Sequence, residues 1–361
     1  MSLVRKRPPI SEVKVSLKGR VIALLLGCVF LVVVSEFVVR AVYPSWSEFY
    51  AGRYMVTEQV PGHGIVAVGK ASFDGHFAQN NGDFRAHIKI NDFGLRNDDP
   101  IKAADQRVWI IGDSMAFGWG VEANEMYSSV IGELIDTPTY NVASPGTNVC
   151  GYQALASRMP KDTSPVAVVV GLIIENDLIN YDCPAKAKVA ESADHMPTES
   201  AFNLGAIKQQ LTEHSALYNF FAVSLKRVSI VREALIWAGV VKKSHAYRNP
   251  LEGKDMEQIA KATANELDRL RGMFDTNTKF VVQIAPARFE IANDDPSYIA
   301  ARLKVRKALT ERGLSYVDPI NRFKADGFKA THFVHDGHWS AKGHRLAAEE
   351  TATWLKNNLP Q

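Results

Sequence analysis

Arg107-Val-Trp-Ile-Ile-Gly-Asp-Ser114 is the stretch that decides the fold. Its apolar residues run without a break up to Gly112, and apolar side chains then recur at helical spacing from Met126 to Ile135. A short apolar run that ends in a glycine turn and leads into a helix is typical of a strand buried on both faces. The stretch therefore indicates an α/β protein.

The same alternation continues along the chain. Further strands are predicted at 140–143, 165–174, 279–285 and 315–318, and further helices at 147–159, 255–274, 297–312 and 341–358. Strands that alternate with helices predict a parallel sheet covered by helices on both sides. In such sheets the ligand site forms at the carboxyl ends of the strands.

Composition is that of a globular protein, with 46% hydrophobic and 22% charged residues over 361 positions. The formal net charge of +3 hides an asymmetry, because residues 1–20 hold six bases and one acid and the rest of the chain carries −2. The basic balance comes from this N-terminal arm. A basic face for nucleic acid is not indicated on the folded part, so we expect no nucleic-acid partner.

An unbroken apolar run, 21–34, follows the basic arm. With Glu36 near the far interface and Arg40 snorkelling, residues 21–43 are long enough to cross a bilayer as an uncleaved anchor, which takes about 20 residues of helix. The positive-inside rule places residues 1–20 in the cytoplasm. We therefore expect a single-pass inner-membrane protein whose remaining chain is periplasmic or extracellular.

Two cleaved signals are the alternatives to this anchor. A signal peptide needs a small-x-small site after the apolar run, and the residues around Ser35 fit one poorly. Leu25-Leu-Gly-Cys28 resembles a lipoprotein cleavage box, but the apolar run before it is short and continues beyond Cys28. Both alternatives fit less well than the anchor.

Domain boundaries follow from these patterns. Residues 44–104 are predicted to form a β-rich linker or insertion, and residues 105–361 a catalytic domain with a mainly helical insertion at 182–254. Within that insertion, Leu217–Val241 is predicted to be a helix packed on the core. A lid or a membrane-surface helix is the alternative.

Polar residues follow three predicted strands and precede the last helix. They are Gly112-Asp113-Ser114, Asn141 to Gly146, Glu175-Asn176-Asp177, and His335 to Ser340. Because the carboxyl ends of parallel strands share one edge of the sheet, we expect these groups to lie together.

The set matches the requirements of acyl transfer. The Ser114 hydroxyl becomes nucleophilic when His338 accepts its proton, and the Asp336 carboxylate would fix the imidazole tautomer. Donors at Ser114, Gly146 and Asn176 would form an oxyanion hole. Each piece also has a simpler interpretation, as a helix cap, a loop cap or a plain turn.

Histidines near the C-terminus offer a metal site as a further alternative. They are His332, His335, His338 and His344. No cluster of cysteines or carboxylates elsewhere in the sequence completes a ligand set, so neither a metal nor a cofactor is expected.

These blocks resemble the SGNH, or GDSL-type, hydrolases over about residues 105–182 and 275–358. The resemblance implies a three-layer α/β/α sandwich with a five-stranded parallel sheet, of flavodoxin-like type. It implies the same roles for the serine, histidine and oxyanion donors. Asn91-Asp-Phe-Gly-Leu-Arg96, together with Gly118-Trp-Gly120, is similar to the membrane-anchored bacterial branch.

The sequence departs from the family pattern at two places. Glu175 stands where a glycine often precedes the asparagine. The family aspartate lies three residues before the histidine, where this chain has His335, and the carboxylate is instead Asp336, two residues before. The Asp-x-His-Trp-Ser form resembles SGNH-like polysaccharide O-acetyltransferases.

Residues around the site complete the expectations. Asp113, Trp119, Asp177 and Trp339 are candidates to line the substrate, although a tryptophan beside a catalytic histidine can equally be packing. Cys150 and Cys183 are candidates for a disulfide in an exported domain, with unrelated buried thiols as the alternative.

The function expected is an extracytoplasmic serine esterase. Its substrate would be an acyl ester, of acetyl type, on a cell-envelope carbohydrate or lipid. An O-acyltransferase with the same triad, working with envelope polysaccharide machinery, is the first alternative. A non-catalytic envelope scaffold or binding subunit is the second.

Overall fold

The computed structural model describes residues 16–79, 82–184, 210–224 and 254–359, together with Trp237 and Leu251. The strands are β1 Met55–Val60, β2 Gly64–Gly69, β3 Asp74–Ala78, β4 Arg85–Lys89, β5 Val108–Ile111, β6 Thr139–Asn141, β7 Ala167–Ile173, β8 Lys279–Ala285 and β9 Ser315–Val317. The α-helices are α1 Leu17–Val42, α2 Ser114–Phe117, α3 Tyr127–Ile135, α4 Val149–Arg158, α5 Ala216–Ser224, α6 Met256–Arg271, α7 Arg288–Asn293, α8 Pro296–Glu311, α9 Ile320–Asp326, α10 Phe328–Thr331 and α11 Ala341–Asn358.

A parallel sheet of five strands in the order β6-β5-β7-β8-β9 forms the centre. Alternate residues of its strands point to opposite faces: Trp109 and Ile111 pack with α4, α6 and α8, whereas Val108 and Ile110 pack with α3 and α11. Every residue of β7 is buried, as a strand covered on both faces requires. The predicted three-layer α/β/α fold is confirmed.

Two antiparallel hairpins, β1–β2 and β3–β4, precede the sheet. Val66 and Val68 of β2 are buried in the same cluster as Tyr152 of α4. Phe77 and Ile88 of the second hairpin are buried with Phe117, three residues after Ser114. The hairpins, in the region expected to be a β-rich linker or insertion, therefore share the core formed around the parallel sheet.

The N-terminal helix α1 has 26 residues, none of them buried, and it is long and apolar enough to cross a membrane. It begins four residues earlier and ends one residue earlier than the anchor predicted at 21–43. Such a helix near an N-terminus is also compatible with a signal sequence.

The described part of the insertion contains α5, which packs against α1 and the short 3₁₀ turn Trp46–Phe49. Residues 217–224 of the helix predicted at 217–241 fall in this element. Apart from Trp237, the remainder of that predicted helix lies outside the described residues, as does most of 182–254.

Candidate active site

Ser114 opens helix α2 directly after β5. The Asp113 carboxylate caps the helix, its Oδ1 accepting a hydrogen bond of 2.9 Å from the Met115 N–H. Gly112 is required before this turn, because a Cβ there would lie 2.6 Å from the Ala116 Cβ. The serine hydroxyl is thereby fixed at the carboxyl edge of the sheet.

His338 faces the serine from the loop before α11. Its Nε2 lies 2.8 Å from the Ser114 Oγ, and its Nδ1 is hydrogen-bonded to Asp336 Oδ1. Trp119 stacks on the imidazole, with 5.3 Å between ring centroids and 26° between planes. The structure thus brings together the three side chains expected to be catalytic, including the aspartate at the unusual spacing.

The Asp336 carboxylate is held by the tip of the β3–β4 hairpin. Gln79 Nε2 donates to Asp336 Oδ2 at 3.0 Å, and the Asp336 N–H donates to Asp83 Oδ2 at 2.9 Å. Burial raises the pKa of the Asp336 carboxyl, but the charge and hydrogen bonds of His338 outweigh it, so the pKa lies below its ordinary value. Asp336 is therefore ionised and oriented toward the imidazole at neutral pH.

The residue at the family's usual aspartate position turns away from the site. His335 Nδ1 lies 2.7 Å from Asp83 Oδ1, and its N–H donates to Asp83 Oδ2 at 3.0 Å. Its side chain is 62% exposed. Asp83 therefore anchors the loop through His335 and leaves Asp336 as the partner of the imidazole.

The two loops expected to supply oxyanion donors are tied to the residues before Ser114. The Ser144 N–H donates to the Gly112 carbonyl at 3.0 Å, which places the exposed Gly146, with φ +76°, beside the nucleophile turn. Asn176 Nδ2 donates to Asp113 Oδ2 at 3.3 Å. Both groups therefore lie at the same edge as the hydroxyl.

Glu175, directly before Asn176, is paired with Arg288. Its Oε2 lies 2.9 Å from Arg288 Nε, and its Oε1 accepts from the Arg288 N–H at 2.7 Å. Arg288 also lies against Gly337, where φ is +85° and a Cβ would be 2.2 Å from Nη1. The ion pair thus links the Asn176 loop to the loop that carries His338.

The sequence motif at 91–96 supports the loop after helix α2. Buried Arg96 donates to the backbone carbonyls of Gly118 and Val121, and also to those of Phe117 and His87. Asn91 Oδ1 accepts from the Phe93 and Leu95 N–H groups and folds the motif back on itself. The motif is therefore a support for the turn that carries Trp119.

Three of the four expected lining residues are corrected by the structure. Asp113, Asp177 and Trp339 are 2%, 0% and 0% exposed, so none of them can touch a substrate. Each of these side chains points into the packed interior below the edge of the sheet. Trp119 is partly exposed beside His338 and keeps that candidate role.

The histidines have separate partners and environments. His332 Nδ1 lies 2.9 Å from Thr331 Oγ1, and His344 Nδ1 accepts from the Tyr127 N–H at 3.2 Å. Burial lowers the pKa of each to about 3, so both are neutral. Among the described residues, no three potential metal ligands converge on one point.

Asp177 holds the third loop from inside the protein. Its Oδ2 accepts hydrogen bonds of 2.8 Å from the Tyr152 hydroxyl and from the Ile173 N–H. Burial is the main cause and the negative charge of Asp113 the second cause that raise the pKa of the Asp177 carboxyl well above its ordinary value. Burial likewise raises the pKa of Asp113 to about 6. The pair therefore favours the protonated form when the protein folds.

Asp177→Asn is expected to stabilise the protein at pH 8. The pKa of an aspartate carboxyl is near 4 in the unfolded chain, and folding raises the pKa of this one. As pH rises from the unfolded pKa through the folded pKa, ionisation of the buried carboxyl lowers the stability of the protein, whereas an amide does not ionise. The amide oxygen can accept both existing hydrogen bonds. We expect a gain in the free energy of unfolding at pH 8 that shrinks toward zero at pH 4, measured in urea titrations. A variant that is destabilised equally at both pH values would contradict this.

Cys150 and Cys183 are joined by a disulfide, with 5.2 Å between their Cα atoms. Cys150 follows the Gly146 loop and Cys183 follows the Asn176 loop, so the bond connects the two expected oxyanion loops. Cys28 is free and exposed on α1.

Removing this disulfide is expected to lower the free energy of unfolding. The bond closes a loop with a sequence separation of 33 residues, and constraint of the unfolded chain over that length is worth about 4 kcal/mol. We expect Cys150→Ser with Cys183→Ser to lower the urea midpoint, and Cys28→Ser, the matched control, to leave it unchanged. Dithiothreitol should lower the urea midpoint of the wild type but not that of the double variant. Equal urea midpoints for the wild type and the double variant without dithiothreitol would contradict a stabilising disulfide.

Comparison with known proteins adds solved structures only. No family model and no curated protein matches the sequence. The solved structures similar to this chain include GDSL-type lipolytic proteins and carbohydrate esterases.

One is a member of the lipolytic G-D-S-L family from Veillonella parvula, with 11% identity and a TM-score of 0.38, covering 69% of this chain and 97% of that one. Another is a carbohydrate esterase family 2 enzyme from Corynascus thermopiles, with 14% identity and a TM-score of 0.40, covering 70% and 66%. A third is an acetyl xylan esterase from Butyrivibrio proteoclasticus, with 13% identity and a TM-score of 0.35, covering 70% and 64%.

Proposed function

We propose that this protein is a serine esterase that cleaves an acyl ester through an acyl-enzyme on Ser114. The observation that supports it is the continuous line of contacts from the Ser114 hydroxyl through the His338 imidazole to the Asp336 carboxylate. A binding or scaffold subunit has no need of this line, which makes that alternative the weaker one.

The reaction follows from the positions of these groups. His338 Nε2 accepts the proton as Ser114 Oγ attacks the ester carbonyl, and the ionised Asp336 stabilises the imidazolium. The negative oxygen is met by the N–H groups of Ser114 and Gly146 and by the Asn176 amide. The alcohol leaves with the proton from His338. Water then attacks the acyl-serine, with His338 as base, and releases the acid.

We further propose that the enzyme is anchored by α1 with its catalytic domain outside the cytoplasm. The basic N-terminal arm and the apolar helix support this orientation. The substrate we propose is an acyl ester, of acetyl type, on a cell-envelope carbohydrate or lipid. The partly exposed Trp119 ring beside His338 suits a sugar face.

Transfer of the acyl group to a sugar hydroxyl is the second candidate. The Asp336-x-His338 spacing supports it, because this spacing resembles that of SGNH-like polysaccharide O-acetyltransferases; Asp336 contacts the imidazole while His335 contacts Asp83. In this case an acceptor hydroxyl takes the place of water in the second step.

The test uses the full chain in detergent with 4-nitrophenyl acetate. We expect release of nitrophenol and, after rapid acid quenching, an acetyl group on Ser114 by mass spectrometry. A fluorophosphonate should label the same residue. If neither adduct forms and no product is released, both enzyme functions are wrong. If added oligosaccharide speeds turnover and becomes acetylated, transfer replaces hydrolysis.

A further inference from the structure

One face of the last turns of α1 is bound to the catalytic domain. The Glu36 carboxylate accepts hydrogen bonds of 2.8 and 2.9 Å from the first two N–H groups of α5, at Ala216 and Leu217. It also accepts from Ser215 Oγ at 2.9 Å. An acidic group at a helix N-terminus satisfies orphan donors and complements the helix dipole. Glu36 therefore fixes α1 directly to α5.

Contacts continue along the same face one and two turns later. Arg40 Nη2 donates to the His214 carbonyl at 2.6 Å, and its guanidinium lies 4.8 Å from the centre of the Trp46 ring. The Tyr43 ring lies 5.4 Å from that of Phe220. Helix α5 is thus attached to the end of α1 itself.

The other face of these turns remains apolar and exposed. Phe37, Val38 and Val42 are 67%, 53% and 62% exposed, and Phe221 of α5 is 46% exposed. They continue the apolar surface of the part of α1 that is long enough to cross a membrane. Exposed apolar side chains contiguous with a membrane span belong in the lipid interface. Segment 211–221, which is bound to the opposite face of these turns, then lies at the bilayer surface.

The same region reaches the triad through one hairpin. Glu48 lies six residues after the end of α1, and its carboxylate receives two hydrogen bonds of 2.8 and 2.9 Å from Arg85. Arg85 pairs with Ala78 at the end of the β3–β4 ladder. The next residue, Gln79, holds Asp336. The hairpin tip therefore contacts the membrane-proximal turn on one side and the catalytic carboxylate on the other.

From these contacts we infer that the active site works at the membrane surface, and that its substrate is an acyl ester on the head of an amphiphile held in the adjacent leaflet. The inference rests on the proposed esterase function. Six residues of chain reach at most about 21 Å, so only a short segment and one hairpin tip separate the bilayer from the triad. A lipid-borne sugar spans such a gap, and its confinement to the membrane raises its effective concentration at the site.

A helical spacer within α1 tests the membrane-surface inference. It moves the catalytic domain away from the bilayer and leaves the contacts between the end of α1 and α5 unchanged. Eleven polar, helix-forming residues inserted between Ser35 and Glu36 add three turns and about 16 Å. Glu36, Arg40 and α5 keep their positions relative to one another. The matched control carries the same insertion ahead of Ser16, at the opposite end of α1.

Activity is measured on two substrates by acetate release from the full chain in phosphatidylcholine nanodiscs. One substrate is an acetylated glycolipid in the same nanodisc, and the other is the same acetylated sugar free in solution. We expect the spacer to lower turnover of the glycolipid at least tenfold and to change turnover of the free sugar less than twofold. The control insertion should change neither.

The outcomes separate the two proposals. Equal glycolipid turnover with and without the spacer overturns the membrane-surface inference and leaves the esterase intact. A wild type that prefers the free sugar over the glycolipid at matched concentration also overturns it. A wild type that cleaves neither these two substrates nor 4-nitrophenyl acetate refutes the esterase function itself. If the spacer lowers both activities equally, the loss comes from misfolding of the domain and the inference is rejected.

Discussion

His338→Ala is expected to lower kcat/KM for a short-chain acyl ester by about five orders of magnitude. His338 Nε2 is the group within hydrogen-bonding distance of the Ser114 hydroxyl, at 2.8 Å. Without it the hydroxyl keeps its proton at neutral pH and attacks the ester poorly. Later, the departing alcohol would also lack a proton donor. The measurement is steady-state hydrolysis of 4-nitrophenyl acetate in detergent by the full chain.

Ser114→Ala should cause a loss of the same size, and the double variant should be no worse than either single one. Residues that act as a unit give strongly non-additive losses, because removing one member already disables the others. His338 is partly exposed, so its removal should leave the thermal unfolding temperature close to that of the wild type. Retention of more than a tenth of the activity in His338→Ala would show that this histidine is not the base.

The fold could be predicted from the sequence because the information is local. The run before Gly112 and the run that became β7 are short and apolar at every position, as a strand covered on both faces requires. The parallel order then places the residues that follow these strands at one edge. Ser114, Gly146 and Asn176 could be grouped for this topological reason, without knowledge of any side-chain contact.

The direction of each side chain at that edge could not be predicted. Asp177 and Trp339 stand in the sequence beside residues of the site, but packing turns both completely inward. Sequence spacing gives the position of a backbone and leaves open which of two neighbouring carboxylates faces solvent. The tertiary environment decides this, and it also raises the pKa values of Asp113 and Asp177.

The support given to the catalytic loop by the β3–β4 hairpin was missed for a different reason. Gln79 and Asp336 are 257 residues apart, and no periodic pattern connects them. The signal that could have indicated a structural partner is the run of polar residues between the two hairpin strands, but such a run is equally typical of an ordinary turn. The attachment of α5 to α1 likewise involves two charged residues, Glu36 and Arg40, within a mainly apolar segment.

Asp336→Asn is the second large effect, a loss of about four orders of magnitude in kcat/KM. An amide nitrogen facing His338 Nδ1 would donate where the carboxylate accepts, and the imidazole would then present a proton to the serine instead of a lone pair. It would also lose the negative charge that stabilises the imidazolium. The Asp336 pKa lies below its ordinary value, so this charge is present throughout the neutral range in the wild type.

His335→Ala is the matched control, since His335 occupies the position where the resembling family has its aspartate. Its ring contacts Asp83 and is 62% exposed, and the Asp83 carboxylate still receives the N–H groups of residues 335 and 336 after the change. We expect a loss of less than threefold. Comparable losses in His335→Ala and Asp336→Asn would mean that the loop as a whole, and not one carboxylate, orients the imidazole.

Combining Asp336→Asn with His335→Asp tests whether an aspartate three residues before His338 can replace Asp336. This double variant restores the family spacing of aspartate and histidine, yet we expect no recovery of activity. The side chain at 335 points to the Asp83 carboxylate, so a second carboxylate there would be repelled by Asp83 and would face away from His338. Recovery to within tenfold of wild type, measured on the same ester, would show that the loop can rearrange and that spacing alone decides which acid serves the histidine.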